Sequence, residues 1–310
     1  MNLFIIGNGF DAAHGLETSY VDFRNYLETT KWDFLTKFEE PYGYVPESRR
    51  EIVEELLWKE FETNLSNINE DEIVDGATSM ELGLEGGDID IESTLNVYWE
   101  EEYKYVKQLN EYIAEWVREI DIDVQSRTSK IKQRRGDIFL TFNYTLVLEK
   151  VYKIDPQKIL HIHGSVDDDY GADPVVGHGN YEKIERLKGK IAYAERNYLE
   201  KESSIYNALV NYYERTKKDV DFYLNFNSSF FNRMSEVENI YVIGHSWGDV
   251  DIPYFKEVLK NVGDNAVWNI YYYKPKEEET FINKAMEIGI AKSNIITRFS
   301  GNFFDINKDD

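Results

Sequence analysis

The chain has 310 residues, 42% of them hydrophobic and 15% aromatic, with no cysteine and a formal net charge of −23. That length and apolar content suit one large domain with an insertion, or two modest ones, and exclude a disordered chain. The missing cysteines exclude disulfides, thiolate nucleophiles and zinc ribbons and suit a reducing cytoplasm, while the acidic charge argues against a sequence-independent grip on nucleic acid. No stretch approaches the ~18 apolar residues of a membrane span, and the amino-terminal apolar run reaches Gly7 after residues 3–6. A cytoplasmic protein, neither secreted nor inserted in a membrane, is expected.

A first short strand is predicted over residues 3–6, followed by Gly7, Asn8, Gly9, Phe10, Asp11 and Ala12. This string fits G-x-G-x-x-G/A, in which glycines let the backbone approach a phosphate and the next helix offers its positive end. A tight strand-to-helix turn without ligand is the alternative. Asp11 and His14 flank the loop as polar groups with no packing reason to be there. An ordinary dinucleotide fold places a ribose-binding acid at the end of a second strand some twenty residues on. Here Tyr26, Leu27, Glu28, Thr29 and Thr30 run on into helix instead.

Residues 26–134 read as a helical insertion, leaving 1–25 plus 135–310 as a nucleotide-binding α/β core. Ile52, Val53, Leu56, Leu57, Phe61, Leu65 and Ile68 repeat at helical spacing, as do Leu95, Tyr98, Trp99, Val106, Leu109, Ile113, Trp116, Val117 and Ile120. Between them, 76–90 is an acidic, glycine-rich loop. From Glu60 to Tyr103 the chain carries fourteen Asp or Glu and no Lys or Arg, which reads as a solvated face or a docking surface for a basic protein partner. Arg127, Lys130, Lys132, Arg134 and Arg135 mark the return to the sheet.

Further short apolar strands are predicted at 138–142, 159–162, 240–243, 267–273 and 295–299. Continuous apolar runs with helices between them point to a parallel sheet covered on both faces. The second strand carries Thr141 and leads into Asn143, which either faces a ligand beyond the strand's carboxyl end or caps a helix. In the third, alternation places His161 and His163 on one face. Two imidazoles alone do not complete a metal set, so no metal is expected. His163, taken as the exposed one and followed by Gly164, suits proton transfer, with His161 as its hydrogen-bonded neighbour.

An irregular segment, 166–236, carries Gly177, His178 and Gly179. After the fourth strand, Gly244, His245, Ser246, Trp247 and Gly248 match the G-x-S-x-G nucleophile elbow. An elbow serine needs a histidine later in the chain, and none follows His245. The remaining use of this loop is to line a ligand through Gly244 and Ser246. In the last helix Phe281, Ile282, Ala285 and Met286 share a face, with Gly289 placed to cap it.

Taken together, these motifs resemble the AbiH family of bacteriophage abortive-infection proteins. The resemblance runs through Gly7 to Ala13, His14, Gly15 and Leu16, then Thr141 to Tyr144, His161 to Gly164, Gly177 to Gly179, and Gly244 to Asp251. More distantly the layout is similar to the sirtuin-type NAD-binding fold, whose GAG loop, T-Q-N-I-D string, H-G pair and late G-T-S loop find counterparts. These are Gly7 to Gly9 with Gly15, Thr141 to Thr145, His163 with Gly164, and Gly244 to Ser246. Phe142 and Thr145 depart from the T-Q-N-I-D pattern and zinc-binding cysteines are absent, so protein deacetylation is not implied. What the resemblance implies is an α/β, Rossmann-like sheet binding NAD or a related nucleotide. Gly7, Asn8, Gly9, Phe10, Asp11, Gly15, Thr141, His178, Gly244 and Ser246 would contact it. Asn143 would orient the nicotinamide ribose and His163 would act as base in hydrolysing the N-glycosidic bond. The alternative is a non-catalytic nucleotide-binding switch working through a protein partner. A homo-oligomer is expected in either case.

Overall fold

The computed structural model describes residues 1–46, 48–79, 104–131, 136–166 and 172–304. Most of the acidic loop, together with Leu95, Tyr98, Trp99, Lys132, Arg134 and Arg135, lies outside the described residues. Among those described, no helix is long and apolar enough to cross a membrane.

Six parallel strands form one sheet: β1 Asn2–Ile6, β2 Ile138–Thr141, β3 Ile159–His161, β4 Asn239–Ile243, β5 Val267–Tyr272 and β6 Ile295–Phe299. Each lies within one residue of its expected ends. Their order is β3-β2-β1-β4-β5-β6, so the chain builds outward from β1 on one side and then on the other.

Alternate residues of the strands feed two cores. Leu3, Ile5, Ile138, Leu140, Ile240, Val242, Trp268 and Ile270 pack on one face with Tyr254, Phe255 and Val258 of helix Ile252–Asn261 and with Phe281 of helix Pro275–Glu287. Phe4, Ile6, Phe139, Ile243 and Tyr271 pack on the other with Phe10, Val147, Leu148 and Phe303. With both faces covered, every strand position tends to be apolar, which is why the strands read as continuous runs. In helix Pro275–Glu287, Phe281 and Ala285 are buried, Met286 is exposed, and Gly289 at φ +106° closes the end.

The chain divides into two compact units. One contains the sheet and comprises Met1–Ser19, Ile113–Val175 and Asp219–Asp310; the other comprises Tyr20–Tyr112 and Val176–Lys218. The division departs from the expected boundaries in three places, the first being that residues 20–25 group with the helical unit. Residues 113–131 group with the sheet, because Ile120, Ile122, Val124 and Ile131 pack on its core. Residues 176–218 join the helical unit, where helices Tyr181–Arg196 and Glu200–Arg215 bury Ile184, Leu187, Ile205 and Leu209 with Ile68 and Val106. The first helical series in the sequence is broken into helix Arg50–Val53, a π-helical turn Glu54–Trp58 and helix Phe61–Asn64. The wider turn moves the apolar face, so Leu57, Trp58 and Phe61 are buried while Ile52 and Leu56 are exposed.

Candidate functional site

Strand register decides what meets at the sheet's carboxyl edge. Ile6 lies opposite Thr141 and Ile243, and Thr141 lies opposite His161. The segments that follow, carrying Gly7, Asn143, His163 and Gly244, therefore leave the sheet side by side. Strand order reverses between β1 and β4, the place where open α/β sheets receive ligands.

The glycine loop is built for close packing against the loop after β4. Gly7 N–H donates to Ile243 O at 2.9 Å and Gly9 N–H to Gly244 O at 2.8 Å. A Cβ on Gly9 would meet Gly244 Cα at 2.8 Å, and one on Gly7 would meet Gly244 O at 2.6 Å. Gly244, at φ +67°, would place a Cβ 2.3 Å from Phe10 N. The expected reason for Gly7 and Gly9 was room for phosphate; the structure shows that their N–H groups and missing side chains join two loops of the protein. Asn8 and Gly9 keep an exposed edge, and Asn8 Oδ1 accepts from Thr18 Oγ1 at 2.6 Å. Helix Gly9–Ala13 is little more than one turn, and Gly15, exposed at φ +80°, follows it.

His14 does have a packing reason to be there. Its Nδ1 donates to Phe10 O at 2.8 Å, its Nε2 lies 2.7 Å from Tyr152 Oη, and its ring packs on Phe10. Burial holds its imidazole below the ordinary 6.5. Asp11 is different. It is 1% exposed, Oδ2 accepts from Thr145 Oγ1 at 2.5 Å, and Oδ1 has no hydrogen-bond partner among the described residues. Burial pushes its carboxyl from 3.8 up to about 6, against the pull of the Thr145 hydrogen bond, of the neighbouring Asn143 amide and of the nearby His161.

Beside it, Asn143 N–H donates to Thr141 Oγ1 at 3.1 Å, so the Thr141 hydroxyl shapes the turn. Asn143 caps no helix, since the next one, Val147–Lys150, is preceded by Leu146. Its Oδ1 is also buried without a partner among the described residues. His161 is held by two acceptors, Asn143 O and Glu149 Oε1, each at 2.8 Å.

The two histidines do not share a face. Strand β3 ends at His161, and Gly164, at φ +81°, turns the chain, which breaks the alternation. His163 is the more deeply placed of the pair, at 3% exposure, where an exposed ring was expected. Its ring lies 5.3 Å from that of Phe142 and 5.2 Å from that of Tyr254, and its Nε2 lies 3.7 Å from Asp251 Oδ1. The other oxygen, Oδ2, lies 3.3 Å from His245 Nε2. Among the described residues no set of three His, Asp or Glu side chains, this trio included, has an arrangement that could hold a metal ion.

Ser246 and His178 have different surroundings. Ser246 is exposed at the tip of the β4 loop and hydrogen bonds no imidazole among the described residues, which leaves the nucleophile elbow without its base. His178 belongs to the helical unit, where Asn180 N–H donates to its Nδ1 at 3.0 Å and its Nε2 donates to Tyr213 O at 3.0 Å. Burial holds it down at about 4. Both nitrogens are engaged within that unit, which gives His178 a structural role there. Thr145, His245 and Asp251 lie within the motifs quoted from sequence but were given no role there, and Glu149 lies outside them. The signals available were those motifs and position, since His245 follows β4 as Asn143 follows β2.

A neutral replacement at Asp11 tests the strain at this edge. The folded state keeps its proton up to about 6 and the unfolded chain only to 3.8, a difference of about 3 kcal/mol. Asp11→Asn is therefore expected to stabilise the fold by up to that amount above pH 6, with the gain shrinking as pH falls towards 3.8. Urea unfolding across pH reads this directly; equal stability at pH 7.5 would refute it.

The family model for bacteriophage abortive infection AbiH matches residues 3–272, which takes in β1 to β5 and every residue of this edge. No curated protein matches the chain. With the match running through the glycine loop, the Asn143 turn, both β3 histidines and the His245–Asp251 loop, the chain belongs to the AbiH family of bacteriophage abortive-infection proteins.

Proposed function

We propose that the abortive-infection role carried by this family is exercised here by a cytoplasmic homo-oligomer that binds NAD or a related nucleotide at the carboxyl edge of β1 to β4 and hydrolyses its nicotinamide N-glycosidic bond. The observation that carries this reading is the pair of buried acceptors, Asp11 Oδ1 and Asn143 Oδ1, that lack a donor among the described residues. An unsatisfied buried polar atom costs about 1–3 kcal/mol, and ribose hydroxyls are donors of the right kind to remove that cost. Asn143 and Asp11 would orient the sugar, and the exposed edge at Asn8, Gly9 and Ser246 would meet the rest of the nucleotide.

In the reaction, water adds to the ribose C1 as the bond to the nicotinamide nitrogen breaks, and that bond's electron pair leaves with nicotinamide. The protein's part is to hold the ribose in line and to take the water's proton, the role proposed for His163. Mass spectrometry of the small molecule that co-purifies, followed by nicotinamide release with and without phage components, tests the reading.

The burial of His163 favours a second reading, in which nucleotide is bound without turnover and signals to a protein partner. Tight binding with no mass change after prolonged incubation would decide for it. In both readings Ser246 contributes at most one neutral hydrogen bond, so Ser246→Ala should weaken binding by about 1 kcal/mol. A serine-hydrolase probe should not label the protein; labelling at Ser246 would restore the elbow.

A further inference from the structure

Asp251 has a place in this edge that the hydrolysis scheme leaves unused. It immediately precedes helix Ile252–Asn261, is 8% exposed, and stands between two imidazoles, 3.3 Å from His245 Nε2 and 3.7 Å from His163 Nε2. The backbone sets the tautomer of His245. Trp247 N–H donates to its Nδ1 at 2.9 Å, so the ring hydrogen sits on Nε2 and points to Asp251. To aim that N–H, Trp247 adopts φ +58°, a conformation that side-chain-bearing residues rarely hold. It is kept there by complete burial, by stacking on Phe255 at 4.1 Å, and by Lys284 Nζ donating to its carbonyl at 2.7 Å. Strain of this kind persists where surrounding structure over-determines it, which is common at functional sites.

From this arrangement we infer that Asp251 is a positioning residue: held on one side by the His245 N–H, it keeps the His163 ring with its hydrogen on Nε2. The order of control runs from the Trp247 backbone to His245, to Asp251, to His163. A buried carboxylate that fixes the tautomer and direction of a basic imidazole is the arrangement by which acid–histidine pairs work in unrelated enzymes. The 3.7 Å gap to His163 is loose for a hydrogen bond, as such pairs often are before substrate closes them. Ligation of a metal by His245 Nε2 would move the ring hydrogen to Nδ1, against the Trp247 N–H that points there.

The consequence for rate rests on the hydrolysis reading, but the positioning itself does not, and the experiment keeps them apart. The chain has five histidines, so their imidazole nitrogen–proton correlations can each be assigned by single replacements. In the wild type His163 and His245 should both carry hydrogen on Nε2. Asp251→Asn should move the signals of those two and leave His14, His161 and His178 in place. If His163 carries its hydrogen on Nδ1 in the wild type, or if Asp251→Asn moves His245 alone, the inference is wrong. The wild-type measurement decides even if the variant does not fold. In the activity arm, Asp251→Asn should lower nicotinamide release by roughly 10²-fold or more with NAD affinity unchanged, and Asp251→Glu should recover part of it. Release unchanged in Asp251→Asn counts against the inference. No release by the wild type under any trigger sinks the hydrolysis reading alone, and the imidazole signals still answer for Asp251.

Discussion

His163→Ala is expected to abolish nicotinamide release while NAD still binds. Loss of a general base typically lowers rate by about 10²–10⁴-fold, roughly 3–5 kcal/mol of barrier. The ring lies among Phe142, Tyr223 and Tyr254, so alanine also opens a cavity. His163→Gln, closer in volume, separates the lost base from lost packing; both should be inactive, and only the alanine variant should melt appreciably lower. Asn143→Ala should also lose release, because a ribose free to rotate loses the alignment on which the step depends. His161→Ala should act on stability instead, since it strips Glu149 and the Asn143 carbonyl of their shared partner. Activity lost in a folded His161→Ala, and kept in His163→Ala, would show that the two roles are reversed.

The second large effect is on stability. Gly244→Ala should cost about 2–5 kcal/mol, from two causes. A left-handed residue with a side chain costs about 1–2 kcal/mol, and forcing a carbon into filled space costs about 1–3 more. The added Cβ would stand 2.3 Å from Phe10 N and 2.6 Å from Gly9 C, backbone atoms that cannot swing aside. Gly9→Val meets the same wall from the other side and should also destabilise the protein before nucleotide is added. Gly15→Ala supplies the control. It shares the left-handed backbone at φ +80° but faces open space, so only the conformational cost of about 1 kcal/mol applies. Urea unfolding of the three variants reads the difference. A Gly9→Val protein that melts like the wild type yet loses nucleotide would show that the glycine serves the phosphate and not the neighbouring loop.

Much of the fold could be read from local pattern. All six strands, the parallel α/β class and the Gly289 cap were legible because burial on both faces leaves continuous apolar runs, and because a helix end needs a residue that tolerates positive φ. The candidate edge was legible in part for the same reason, since polar residues directly after apolar strands, Asn143 and His163 among them, stand out from their surroundings. Other features depended on partners far away in the chain. Gly9 packs on Gly244, which follows a different strand, so that contact could not be read beside Gly7. The second stretch of the helical unit joins Ile68 and Val106 to Leu187 and Leu209, contacts that no periodicity encodes. His161 and His163 looked alike until the strand ended between them. His245 was hidden behind the serine beside it, because its use depends on a strained Trp247 backbone and on the Asp251 carboxylate. Period and composition record which residues are buried; which buried residues meet is decided by strand order and loop geometry, and these exist only once the chain has folded.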